Sequence, residues 1–435
     1  MARKPPSATK SATTPISSPH SLPAQRDKEA LSMLHDKRII LGVSGGIAAY
    51  KAVELLRLLT KAGADVHVIM TRSAQEFITP LSFQTLSANA VHTELFNLIA
   101  EREIGHISLA DRADLFLIAP ATANCIGKIA SGIADDMLST TVMATRAPVL
   151  IAPAMNVNMY TNPIYRANER KLRRLGYLFA APEKGALACG WEGEGKLAAP
   201  ETIFEAALSA LTARDLAGRT IMVTAGPTRE EIDPVRYISN HSSGKMGYAI
   251  ARAAARRGAR VILVSGPVNI PAPPGVELVA VSSAEEMRRA VMGRVGKCDA
   301  VIKAAAVADY RPLERTASKV KKKAGELTLH LTRNADILAE LGSLEKHPFL
   351  VGFAAETDNL EAYAAGKLKE KNLDMIVAND VSQSDAGFNV ETNRALLLFR
   401  DGRRLECPLM SKEELANVIL DQLCAGMGNG ALPHK

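Results

Sequence analysis

The sequence predicts an α/β protein built from two parallel-sheet units in tandem. Three observations point to it. One phrase occurs twice, from Arg38 and again from Arg219: an apolar strand, a glycine turn, an amphipathic helix and a second strand. Other apolar runs of strand length are continuous rather than alternating, as in strands covered on both faces. The chain has 435 residues, enough for two or three domains. Each unit is therefore expected to be Rossmann-like or flavodoxin-like.

Residues 1–34 are rich in Ser, Thr, Pro and Ala. Their prolines oppose an amphipathic transit helix, so a disordered tail is expected. Order begins at Arg38-Ile-Ile-Leu-Gly-Val-Ser-Gly-Gly-Ile47. A helix follows, with Ala48, Ala52, Leu55, Leu56 and Leu59 on one face. Gly63 ends it, and Asp65 to Met70 is the next strand. A βαβ unit of this kind requires parallel pairing. Asp114 to Ala119 and Pro148 to Ala152 are further buried strands, with a helix expected from Ile126 to Met143 between them. Glu201 to Leu216 reads as a helical connector.

At Arg219 the phrase returns, with helix positions Met246, Ile250, Ala253 and Ala254, a stop at Gly258 and a strand at Val261 to Val264. Here a long loop, Gly226 to Lys245, separates turn and helix. More strands are expected at Asp299 to Ile302, Phe349 to Phe353, Asp374 to Val377 and Ala395 to Phe399, and a frayed tail from about Ala425. The expected division is a tail 1–34, a unit 35–200, a connector 201–217, a unit 218–424 and a tail 425–435.

Composition narrows the function. Aromatics make up only 4%, which disfavours a base-stacking nucleic-acid surface. A net charge of +7 suits phosphorylated ligands but specifies none. The cysteines, Cys125, Cys189, Cys298, Cys407 and Cys424, form no CxxC and no zinc spacing. Their odd number and the lack of a secretory signal imply reduced thiols and a cytoplasmic protein. No apolar run is long enough to span a membrane.

A parallel sheet binds ligands at the carboxyl ends of its strands, where turns and helix N-termini offer N–H groups to phosphate. Ser44, Gly45, Gly46 and Ile47 stand at such an end. The full GxGxxG is missing, and the second strand ends in Met70-Thr71-Arg72-Ser73 with no acid to grip a ribose. That disfavours NAD, and hydroxyls there suit a mononucleotide such as FMN. Pro153-Ala-Met-Asn-Val-Asn-Met-Tyr160 places two amides and two methionines straight after a buried strand. A lone His or Cys is ordinarily packed or inert, but Cys189 lies among glycines unlike a core and suited to a hinge.

Together Gly45-Gly-Ile-Ala-Ala-Tyr-Lys51, Gly105-His-Ile107, Ala119-Pro-Ala-Thr-Ala-Asn124, Pro153 to Tyr160 and Ala188-Cys-Gly190 resemble the flavin-dependent cysteine decarboxylases, those acting on phosphopantothenoylcysteine above all. The likeness spans roughly Lys37 to Pro200. It departs from the family's usual pattern at Tyr160, where Trp is common, and at Trp191, where Asp is. The resemblance implies FMN held by Ser44, Gly45, Gly46, Ile47, Thr71, Thr122, Ala123 and Asn124. It implies that His106 stands near the flavin, Asn156 holds the substrate carboxylate, and Cys189 donates a proton from a mobile flap. Flavin oxidation of the thiol would create the electron sink that decarboxylation needs.

In the second unit, Ser, Asn and Gly before the helix at Lys245 could cradle an anion. This is no Walker A, since Met246 follows Lys245. Asp309 lies just past a buried strand, with Lys319, Lys321, Lys322 and Lys323 after it, a set able to meet a triphosphate and its Mg²⁺. Lys367 and Lys371 share one helix face, mildly unfavourable without an anion between them.

Ala225-Gly-Pro-Thr-Arg-Glu230, Ile238-Ser-Asn-His-Ser-Ser-Gly-Lys-Met-Gly247, Ala304-Ala-Ala-Val-Ala-Asp-Tyr310 and Gly352-Phe-Ala-Ala-Glu-Thr357 resemble phosphopantothenate–cysteine ligases. The whole chain is thus similar to the fused bifunctional enzymes of coenzyme A biosynthesis. The resemblance implies CTP activation of phosphopantothenate as an acyl-cytidylate. Asn240 would stabilise that intermediate, and Lys319 would offset charge as it forms. CTP would be held by Lys303, Ala304, Ala305, Asp309, Lys319, Ala335, Asp336, Ile337, Leu338, Phe353, Lys367 and Lys371, with Mg²⁺ near Asp309 through the nucleotide. It also implies a homo-oligomer of decarboxylase trimers and ligase dimers, acting on small molecules without nucleic acid or membrane. Two alternatives stay open: a flavin-dependent decarboxylase of peptidyl cysteine, and a non-enzymatic flavin-binding regulator. The ligase half opposes the first. His106, Asn156 and Cys189 oppose the second.

Overall fold

The structure, a computed structural model, describes Met1 and residues 34–95, 105–186, 192–320, 328–356, 359–380 and 390–428. The tail expected over 1–34 falls almost wholly outside them. Leu34 is inside and is buried against the first core.

In the first unit β1 (Arg38–Val43) leads through a short turn of helix into α1 (Lys51–Lys61) and β2 (Asp65–Met70). Then come α2 (Arg72–Gln75), α3 (Pro80–Ser87), β3 (Val91–His92), α4 (Gly105–Asp111) and β4 (Leu115–Ala121). The chain continues through α5 (Ala123–Ser131), α6 (Met137–Ala144), β5 (Val149–Pro153), α7 (Val157–Thr161), α8 (Pro163–Arg174) and β6 (Leu178–Phe179). A hairpin of β7 (Glu183–Ala186) and β8 (Glu192–Lys196) precedes α9 (Pro200–Leu211). The sheet order is β3-β2-β1-β4-β5-β6, and every pair is parallel.

Period-two alternation divides the core. Ile39, Leu41 and Val43 face α1, α3 and α9, and Ile40 faces α5, α6 and α8. All residues of β4 are buried, as a strand at the centre of a two-sided sheet must be. Each fully buried Leu or Ile contributes about 2 kcal/mol.

The second unit repeats the plan. Its elements are β9 (Thr220–Ala225), β10 (Arg229–Glu231), β11 (Tyr237–Ser239), α10 (Lys245–Arg256), β12 (Arg260–Ser265), β13 (Glu277–Ala280) and α11 (Ala284–Met292). Then follow β14 (Ala300–Lys303), β15 (Tyr310–Pro312), β16 (Leu331–Arg333), α12 (Ile337–Gly342), β17 (Phe349–Glu356), α13 (Leu360–Glu370), β18 (Met375–Asp380), β19 (Thr392–Phe399), β20 (Arg404–Ser411) and α14 (Lys412–Gly426). The sheet order is β13-β12-β9-β14-β17-β18-β19-β20. Its first six strands reproduce the first sheet's order, in which the chain reverses direction beside the first strand. That switch point is where open α/β sheets bind ligands.

Several expectations are corrected. The helix expected over Ile126 to Met143 is two, because Gly132 turns left-handed (φ 72°) and Asp136 starts a new helix with a capping box. The connector helix stops at Leu211, and its Ile203, Ala207 and Leu208 belong to the first core. The loop Gly226 to Lys245 contains the β10–β11 hairpin. The last two strands of the second sheet are antiparallel, because β19 and β20 are joined by a hairpin. The C-terminal helix continues through Ala425 to Gly426.

Candidate active sites

At the first switch point the ends of β1 and β4 are stitched together. Ser44 Oγ donates to the Pro120 carbonyl (2.8 Å), and the Thr122 N–H donates to Ser44 Oγ (2.9 Å). Thr71 and Thr122 cap the helices behind them, accepting from the N–H groups of Ala74 and Cys125. A Cβ at Gly45 would lie 2.3 Å from Ser73 Cβ, so only glycine fits this turn.

Ser44, Gly45, Gly46, Ile47, Thr71, Thr122, Ala123 and Asn124 all line one cavity of about 780 Å³, as does Asn156. That size suits a cofactor with its substrate. A glycine cradle, hydroxyls at the strand ends and no acid after β2 fit a flavin mononucleotide.

The Asn156 side chain starts α7. Its Oδ1 accepts from the Asn158 N–H (2.8 Å), which directs the amide nitrogen as the donor edge. The return strand of the hairpin lies flat on this segment. The Met155 N–H donates to the Gly195 carbonyl (2.9 Å). Gly195 has φ 126°, and a Cβ on it would sit 2.4 Å from the Met155 oxygen.

Cys189 lies outside the described residues, between the hairpin strands. His106 is half-buried in the first turn of α4, and its Nδ1 is enclosed without a hydrogen-bond partner among the described residues. It is not among the residues that line the cavity.

Sequence reasoning assigned no site role to Arg72, Lys128, Asp136, Ser139 or Lys196, which also line the cavity. Asp136 and Ser139 enter through the break after Gly132, which a single long helix erases. Lys128 is paired with Asp135 (2.7 Å) and Asp136 (3.0 Å). Burial pushes the lining Cys125 thiol up to about 12, which leaves it chemically inert.

The second switch point lies between β9 and β14, where the Pro227 and Ala306 backbones form a bridge. Lys303 ends β14, Ala304 and Ala305 follow it, and Thr224 Oγ1 accepts from the Ala305 N–H (3.2 Å). Asn240 Nδ2 donates to the Val307 carbonyl (3.2 Å), and Asn334 donates to the Ala308 and Asp309 carbonyls (2.7 and 2.8 Å). These bonds gather four separate segments.

Asp336 caps α12 ahead of Ile337 and Leu338, and accepts Lys371 Nζ at 2.7 Å. This carboxylate already relieves the like charge expected between Lys367 and Lys371. Burial pushes the Lys303 ammonium down to about 8, with Asp336, Lys371, Asp309 and Lys367 as its charged neighbours. Phe353 is half-buried on β17, Asp309 and Lys319 are exposed, and Lys321 to Lys323 lie outside the described residues. Among the described residues no three His, Cys, Asp or Glu side chains converge to hold a metal ion. No helix among them is long and apolar enough to cross a membrane.

Residues 27–212 match the family described as Flavoprotein, and residues 216–427 match the DNA/pantothenate metabolism flavoprotein C-terminal domain. The chain is 51% identical over 397 residues to the coenzyme A biosynthesis bifunctional protein CoaBC of Bacillus subtilis, covering 90% of this chain and 98% of that one. It is 50% identical over 395 residues to the protein of the same name from Escherichia coli strain K12, covering 90% and 97%. A solved structure of the C-terminal domain of a CoaBC protein is 46% identical, covers 49% of this chain and 97% of that one, and superposes with a TM-score of 0.43.

Proposed function

The chain belongs to the family of coenzyme A biosynthesis bifunctional proteins, and from that premise we propose how its two units divide the work. The protein is an enzyme with two activities. It joins 4'-phosphopantothenate to cysteine, and it decarboxylates the product to 4'-phosphopantetheine. Residues 35–200 are assigned to the decarboxylase, 218–424 to the ligase, and 201–217 to the junction. The observation that carries this reading is the convergence of Asn156 and eight flavin-binding candidates on one cavity at the first switch point.

In the decarboxylase, Ser44, Gly45, Gly46, Ile47, Thr71, Thr122, Ala123 and Asn124 hold FMN. Bound FMN would take two electrons from the substrate thiol, which gives decarboxylation its electron sink, and would return them once carbon dioxide has left. Asn156 orients the carboxylate through its amide nitrogen. The hairpin closes the cavity against water, and Cys189 returns a proton to carbon after carbon dioxide leaves. His106 stands as the histidine of the flavin site.

In the ligase, CTP is the cosubstrate, held by Lys303 to Ala305, Asp309, Ala335 to Leu338, Phe353, Lys367 and Lys371. Asp309 would stand near the Mg²⁺ that accompanies the nucleotide phosphates. Asn240 and Lys319 stabilise the acyl-cytidylate and its formation. The cysteine amine then displaces CMP from the acyl carbon. The enzyme works in the cytoplasm as a homo-oligomer of decarboxylase trimers and ligase dimers.

The test is to purify the full chain, record its flavin absorption, and supply phosphopantothenate, cysteine, CTP and Mg²⁺. CMP, carbon dioxide and phosphopantetheine are the expected products. A protein that stays colourless and inert after FMN is supplied removes the decarboxylase assignment. Supplied phosphopantothenoylcysteine that is consumed without any CMP ever forming from the full mixture removes the ligase assignment.

A further inference from the structure

The charges on the wall of the first cavity are unbalanced. Lys51, Arg72, Lys128 and Lys196 line it, against one carboxylate among the described residues, Asp136. Lys128 is neutralised by its two aspartates. Lys51 reaches the Leu197 carbonyl at 3.5 Å. Arg72 stands at the glycine turn, where its neighbour Ser73 touches Gly45. Lys196 is half-buried and has no hydrogen-bond or ion-pair partner among the described residues. A partly desolvated ammonium facing a ligand cavity calls for an anion.

Two anionic ligands enter this cavity in the decarboxylase reading, on which the following rests. The flavin phosphate belongs at the glycine turn between β1 and β2, where N–H groups and Arg72 meet it. Lys196 belongs to the other end. Its strand is tied to the segment after β5 through the Met155 N–H and the Gly195 carbonyl. In the sheet order β1, which leads into the turn, and β5 are two strand intervals apart, about 10 Å. Lys196 also stands one residue from Gly195, whose missing Cβ lets the hairpin press on Met155 and Asn156.

We propose that Lys196 is a specificity-determining residue of the decarboxylase, pairing its ammonium with an anionic group of the acid substrate on the Asn156 side of the cavity. The substrate offers two such groups, the carboxylate that is lost and the phosphate that is kept. The pairing gives the site a preference for a charged small molecule over a neutral thiol.

The test uses full-length Lys196→Met and Lys196→Arg proteins with FMN. KM and kcat are measured for phosphopantothenoylcysteine and for its dephosphorylated counterpart, and the FMN dissociation constant by flavin fluorescence. Lys196→Met is expected to bind FMN as the parent does and to raise KM for the phosphorylated substrate about ten- to a hundredfold. Lys196→Arg is expected to restore most of the loss. A rise confined to the phosphorylated substrate identifies the phosphate as the paired group. An equal rise for both substrates identifies the carboxylate. Unchanged KM for both, or a loss of FMN affinity that accounts for the whole effect, overturns the proposal. A parent protein that binds FMN yet decarboxylates neither substrate overturns the reading beneath it instead.

Discussion

Asn156 lines the first cavity while its side-chain oxygen caps α7. The amide nitrogen beside that oxygen can only donate. Asn156→Asp should therefore keep the cap and the fold but turn a donor into a like charge facing the substrate carboxylate. We expect decarboxylation to fall at least a hundredfold, CMP release to be unchanged, and the melting temperature to move little. A variant that still yields phosphopantetheine at the parent rate would remove Asn156 from substrate binding. Lys303 supports a second expectation. The unfolded chain holds this proton up to about pH 10.4, and the fold releases it near 8. Below pH 8 both states are protonated and the burial penalty is present in full. Between 8 and the unfolded value the unfolded state binds more protons, so stability rises with pH. A triphosphate beside Lys303 should restore its usual affinity for the proton. Calorimetry in buffers of different ionisation enthalpy should then detect proton uptake on CTP binding at pH 8 and almost none at pH 6.5. Buffer-independent enthalpies at pH 8 would place the phosphates away from Lys303. At this scale the sequence was readable where a candidate residue stands at or just past the end of a buried strand, as Ser44, Thr122, Asn156 and Lys303 do. The Lys371–Asp336 pair was not, because it depends on two helices meeting, and neither was Lys196, which enters the cavity from a distant hairpin.

Elements were legible where burial makes an unmistakable pattern. The continuous apolar runs of β1, β4, β5, β9 and β14 follow from cover on both faces, and the glycine turns after β1 and β9 follow from the first βα crossover. Short or exposed strands carry no such pattern. β13 has only one half-buried residue in four, and β10, β11, β15 and β16 are three residues each. The antiparallel end of the second sheet did carry a signal. Asp401-Gly402, with Gly402 at φ 86°, is the kind of turn that joins hairpin strands between two apolar runs. The β7–β8 hairpin makes the element-scale prediction. Gly195→Ala must accommodate both a left-handed φ and a Cβ 2.4 Å from the Met155 oxygen. Strain of this kind costs about 1–3 kcal/mol, and the hairpin can relieve it by lifting off the Asn156 segment. Decarboxylation should drop tenfold or more with FMN content and CMP formation unchanged. Hydrogen exchange should speed up in the hairpin and not in the sheet. Normal decarboxylation by this variant would mean that close seating of the hairpin is not needed.

The molecule as a whole is held together at a junction that the sequence marked as a connector. α9 packs in the first core, yet one oxygen of its Glu205, Oε2, accepts from both Nε and Nη2 of Arg256 of the second unit, at 2.9 and 2.7 Å. The next residue, Arg257, is buried and grips both oxygens of Asp215 through a fork at 2.9 and 2.5 Å and Asp421 of α14 at 2.6 Å. Leu216 is buried in the second core, and its N–H donates to the Arg257 carbonyl. The bidentate Arg257–Asp215 pair fixes geometry as well as charge. The Arg257 guanidinium holds the Asp215 carboxyl below its usual range. A depressed carboxylate contributes fully above its unfolded value and is lost only as pH falls through the folded one. The seam should therefore be insensitive to pH from about 6 to 8. Arg257→Met removes the buried cation and leaves its two carboxylate partners, which can turn to water. We expect a loss of about 1–3 kcal/mol, faster proteolytic nicking between residues 212 and 219, and both activities retained when each is assayed with its own substrate. Arg256→Met should loosen the same seam from the α9 side. Were nicking as slow in both variants as in the parent, the seam would be held by Leu216 and its apolar neighbours, and the arginines would be only its polar border.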